Sequence, residues 1–175
     1  MRILRLAISS LAALVAGACD NVVIYYSEQT TPYSITFVGA NVRDGYLPVK
    51  IYGDPLPRAI DPEEVAAALA TPGWMAPAKF TTRDTGLNRD LAVVLVFNPA
   101  YKDSGMDITC RPGNVPKTQP GDGKTLRIAA NLCYEGKSIS WLYAAGPAPE
   151  SLQDPKFDKL LSQVMASLLP IKRPD

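Results

Sequence analysis

The chain has 175 residues, 18 Lys+Arg against 17 Asp+Glu, no histidine and 47% hydrophobic residues. Near-neutrality without a basic run leaves no electrostatic footprint for nucleic acid. The lack of histidine removes Ser-His-Asp and Cys-His catalysis, histidine proton relays and the common histidine metal sites.

The N-terminus opens with Arg2 and Arg5, then an uncharged, mostly apolar run from Leu6 to Ala18, then Cys19. A basic start, a short hydrophobic stretch and small residues have the form of a secretory signal. The run is too short to span a bilayer as a helix, which needs roughly 20 apolar residues. Residues 1–18 are therefore set aside as a signal peptide. Ala16-Gly17-Ala18 fits ordinary secretory cleavage. With Cys19 added it resembles a bacterial lipobox, although Ala16 stands where Leu is usual. Cys19 is thus a lipidation site on one reading, and the first residue of a secreted soluble protein on the other. Residues 19–32 read as a tether, with Val22–Tyr26 apolar enough to add an edge strand. Asp20 after the cysteine resembles an inner-membrane retention signal.

Residues 33–170 read as one domain and 171–175 as a tail. Tyr33–Val38 predicts a strand, returning through an Asp44-Gly45 hairpin to a strand at Leu47–Tyr52. Asp61 as N-cap, Pro62 at the first position and Glu64 in the first turn predict a helix. It is stopped by Thr71-Pro72-Gly73. Lys79–Thr82 is a short strand. Leu91–Phe97, apolar at every position, predicts a central strand covered on both faces. A long Gly/Pro-rich loop over 99–124 leads to strands at Leu126–Tyr134 and Ile139–Ala145, joined tightly through Glu135-Gly136-Lys137. Asp154 and Pro155 open a last helix with Phe157, Leu160, Leu161, Val164, Met165 and Leu168 at helical spacing. The sum is an α+β fold: a mostly antiparallel sheet of about five or six strands with two helices packed on one face.

If Cys19 carries lipid, Cys110 and Cys133 remain as an even pair in an oxidising compartment. A disulfide between them would pin the long loop over the face the helices leave open. Two buried thiols are the alternative. Thr118–Thr125, TQPGDGKT, ends like a P-loop but lacks the first glycine and precedes a strand, so it reads as a turn and not a nucleotide site. Gly136–Ser140, GKSIS, lacks the final glycine of a nucleophile elbow. The cysteines do not have metal-ligand spacing. Asp54, Asp84, Asp90, Asp103, Asp107, Asp122 and Glu135 are the acid–base candidates, scattered over loops with no defined pairing.

VLVFNP at 94–99, AANLC at 129–133 and DPKFDKLLSQVMASLLP at 154–170 resemble a group of small uncharacterised exported bacterial lipoproteins. The resemblance implies no activity, and no catalytic residues carry over. The expectation is a non-enzymatic envelope lipoprotein, held on the periplasmic side of a membrane through Cys19. It would have no cofactor or metal, no nucleotide or nucleic-acid ligand, and a protein partner. A carboxylate-based hydrolase of envelope material and a small-ligand carrier under the pinned loop are the alternatives.

Overall fold

The computed structural model describes residues 22–29, 35–42, 44–83, 90–100 and 107–169. Residues 1–18, Cys19, Asp84, Asp103 and the tail lie outside the described residues. In chain order the elements are β1 (Val23–Glu28), α1 (Ile35–Asn41), β2 (Tyr46–Tyr52), α2 (Pro62–Ala67) and β3 (Lys79–Thr81). They continue with β4 (Leu91–Phe97), α3 (Asp107–Cys110), β5 (Thr125–Tyr134), β6 (Lys137–Pro147) and α4 (Pro155–Leu168).

The strands form a 6-stranded sheet ordered β1-β6-β5-β4-β2-β3. β1–β6, β6–β5 and β5–β4 are antiparallel, whereas β2 runs parallel to both β4 and β3. The α+β class and the mostly antiparallel sheet match the expectation; the parallel pairings of β2 do not. α2 carries the chain across the sheet so that β3 runs parallel to β2, as a strand–helix–strand unit does, and β4 then pairs along the other edge of β2 in the same direction.

The helices start where their caps require. The Asp61 side chain accepts from the Glu63 N–H, and the Asp154 side chain from the Lys156 N–H, each followed by proline at the first helical position. The α4 stripe of Phe157, Leu160, Leu161, Val164, Met165 and Leu168 is wholly buried. Burying each such side chain contributes about 2 kcal/mol. The stripe meets Leu126, Ile128, Ala130, Leu142 and Ala144 from β5 and β6 in one core, together with Val65 and Ala66 of α2.

The segment expected as a strand at Tyr33–Val38 is instead helical from Ile35, and Asp44-Gly45 leads out of α1 and into β2 without making a hairpin. Val38 is in the core, with Phe37 and Val42 packed against it, which is a helical spacing. Phe37 sets its ring edge-on against Tyr134 at 4.9 Å. Tertiary contact overrides the β-propensity of Ile, Thr, Phe and Val here. Val23–Glu28 pairs with β6 as the edge strand that the apolar Val22–Tyr26 run allowed, so the sheet takes in residues before 33. Three helices, α1, α2 and α4, share the main core face where two were expected.

β4 is buried at all its positions, as a central strand should be. β5 and β6 close through Glu135 (φ 48°) and Gly136 (φ 75°), a two-residue turn of the type that matches strand twist.

Candidate functional site

β2, β4 and β6 point the same way, so the segments leaving them gather at one end of the sheet. Each is punctuated: Gly53-Asp54-Pro55 after β2, Asn98-Pro99 after β4, and Pro149 just beyond β6. The TQPGDGKT segment arrives at the same end and leads into β5.

Asn98 ties these loops together. It sits in the left-handed region (φ 48°) and is buried. Its N–H donates to the Arg127 carbonyl at 2.8 Å, and its carbonyl accepts from the Gln119 N–H at 2.9 Å. Its side-chain Oδ1 accepts from the Arg127 N–H and its Nδ2 donates to the Asp54 carbonyl, both at 3.3 Å. Gly53 (φ 72°) leaves no room for a side chain: a Cβ there would lie 2.5 Å from the Phe97 carbonyl oxygen. The Asp54 side chain accepts from the Ile60 N–H at 2.9 Å, which shapes the loop after β2.

Between the loops runs a cleft with two joined lobes. One, of about 310 Å³, is bounded by Pro55, Leu56, Asn98, Gly121, Leu126 and Pro149. The other, of about 420 Å³, shares Leu56, Pro57 and Gly121 and adds Asp54, Arg58 and Thr118. Its walls combine Pro55, Leu56, Pro57 and Gly121 with the polar side chains of Asn98, Thr118, Gln119 and Thr125, and Asp54, Arg58 and Glu150 add charge. Such a surface suits shape-selective contact with an extended or amphiphilic ligand.

The phosphate-cradle geometry of a P-loop is not available in TQPGDGKT. The Asp122 carboxylate accepts the N–H groups of Lys124 and Thr125 at 2.8 and 2.7 Å, the kind of donors a phosphate would need. Those two bonds, with Arg127 at 3.1 Å, hold the Asp122 carboxyl down to about 2.

Among the described residues, the remaining candidate acids do not gather at the cleft. Asp90 and Glu135 meet at the opposite end of the sheet, where their charges, that of Glu135 foremost, push the Tyr134 hydroxyl up. Both are exposed. The Asp107 side chain, like Asp84 and Asp103, lies outside the description. Glu63, in the first turn of α2, does more than favour the helix dipole. Its carboxylate accepts from Thr81 Oγ1, Thr82 N and Thr82 Oγ1 at 2.9, 2.8 and 2.7 Å, clasping α2 to β3. The Thr82 hydroxyl leads the contacts that lower its pKa. Glu63 and Asp122 are thus held ionised by structural bonds, the opposite of what a general acid needs. Among the described residues no cluster of His, Cys, Asp or Glu can hold a metal ion, and no helix is long and apolar enough to cross a membrane.

Cys110 and Cys133 are joined, with Cα atoms 5.4 Å apart. Cys133 is on the face of β5 opposite the main core, as expected. There α3 lies on a small cluster of Val94, Val96, Ala129 and Tyr143. Those side chains are buried around the disulfide. Asn131, wholly buried on the same face of β5, accepts from the Ser138 hydroxyl at 3.0 Å, and its Nδ2 has no protein partner among the described residues.

Sequence reasoning named Asp54 and Asp122 but missed Asn98 and Gly53 as the residues that build the cleft. The available signal was a Gly or Pro within two residues after each of three strands. Using it required knowing that those strands are co-directional. No family model matches the chain, and neither a curated protein nor a solved structure matches it.

Proposed function

We propose that this is an exported, lipid-anchored envelope protein whose single α+β domain binds a partner through the cleft at one end of its sheet and catalyses no reaction. The observation that carries the proposal is the Cys110–Cys133 disulfide. It fits an oxidising compartment and leaves Cys19, at the end of a signal-like run, as the odd cysteine. The binding role is supported by the cleft's lining of prolines and glycines, and by the structural roles that occupy Glu63 and Asp122.

The test is the mass of the protein isolated from membranes, together with its partition between detergent and aqueous phases. The expected result is a fatty-acylated Cys19 and recovery in the detergent phase. Cys19→Ser should lose both while keeping the Cys110–Cys133 bond, since several acyl chains anchor stably and none does not. A wild-type protein free of fatty acid overturns the anchor. Photo-crosslinking from Thr118 in the native envelope, with Lys137 at the far turn as the control position, tests the cleft. Equal adducts from both positions overturn it.

A further inference from the structure

The fold takes hold of the chain at Val22. Its side chain packs against the core and lies close enough to Gly146 that a Cβ there would be 3.5 Å from it. Only Asp20 and Asn21 separate Val22 from Cys19. Three residue steps reach at most about 11 Å. A domain held by acyl chains on Cys19 therefore keeps its Val22 corner at the surface of the bilayer.

That corner belongs to the cleft end of the sheet. β1 and β5 start there, and β2, β4 and β6 finish there. Ala145 pairs with Val23 on one side and Arg127 on the other, so the cleft wall at Leu126 is about two strand spacings, roughly 10 Å, from the start of β1.

The same corner exposes apolar surface. Val23 is 43% exposed and Tyr25 63%, with the Tyr25 ring 5.8 Å from that of Tyr143. A tyrosine with an apolar ring and a polar tip suits the membrane–water boundary. Lys156 and Lys159 border Val22, but Asp154 and Asp158 accompany them on the same stretch of chain. Charge alone gives this corner no strong preference for an anionic surface.

We infer, resting on the lipid-anchored reading above, that the domain sits with this end of its sheet on the headgroup layer of its own bilayer. Val23 and Tyr25 touch the lipid, and the cleft opens onto it. The short tether and the apolar contact set the orientation.

The test uses full-length acylated protein in vesicles of phosphatidylcholine, with or without phosphatidylglycerol. A photoreactive phenylalanine replaces Tyr25, Arg58 or Lys137 in separate variants, all at exposed positions. Intact mass after irradiation counts phospholipid adducts and verifies the acyl chains. Adducts should form from positions 25 and 58 several-fold more often than from 137, and equally in both vesicle types. An acylated protein with adducts no commoner at 25 than at 137 overturns the orientation. Adducts at 25 without any at 58 overturn the placement of the cleft, and adducts that require phosphatidylglycerol overturn the apolar seating. A protein without acyl chains overturns the anchor reading itself, and this inference with it.

Discussion

Gly53 shows how little freedom the cleft leaves at single positions. Its φ of 72° is strained for any other residue, and its missing Cβ makes room for the Phe97 carbonyl at 2.5 Å. Gly53→Ala should cost about 3 kcal/mol in urea unfolding and displace the loop after β2. Gly121→Ala should cost less, because the group a Cβ would meet, Asn98 Nδ2 at 3.1 Å, is a side-chain end. Asp122 gives the molecule a specific acid sensitivity. Its folded-state carboxyl lies below the ordinary value of 3.8, at about 2, because the backbone N–H groups of Thr125 and Lys124 bond the ionised form. A depressed pKa contributes stability that is full above the ordinary value and is lost as pH falls through the folded value. Asp122→Asn keeps an acceptor oxygen but loses the titration. The urea midpoint of that variant should therefore fall less steeply than wild type between pH 3.8 and about 2. Equal slopes would show that the carboxylate adds nothing to the fold.

Among elements, α3 is tied to β5 by the Cys110–Cys133 bond as well as by its packing. Cys110→Ala should lower stability by about 3 kcal/mol, the chain-entropy estimate for a loop of this size, and admit proteases to residues 111–124. Unchanged cleavage rates would mean that α3 holds its place through packing alone. The elements legible in the sequence were those whose local chemistry and burial agree. α4 had its cap, its proline and an apolar stripe, and it lies at Pro155–Leu168. β4 had an unbroken apolar run, and every position is buried. α1 was not legible. Its residues favour strands, and only the contacts of Val38 and Phe37 with the core and Tyr134 make it a helix.

For the whole molecule, the class and the strands other than the one expected where α1 lies could be read locally, but the pairing could not. A strand's neighbour and direction depend on where the intervening chain crosses, and nothing in LPVKIY distinguishes a parallel partner from an antiparallel one. The cleft was illegible for the same reason, since it exists only because β2, β4 and β6 end together. The edge position of β1 also has a consequence in time. Val23 pairs with Ala145, on a strand made long after it. On the exported reading proposed above, the chain would present β1 long before its partner strand has emerged. Throughout that interval the residues beside Cys19 are held by no sheet. On the lipid-anchored reading proposed above, a peptidase or acyltransferase acting at Cys19 would meet open chain. Only when β6 arrives does the fold close over Val22.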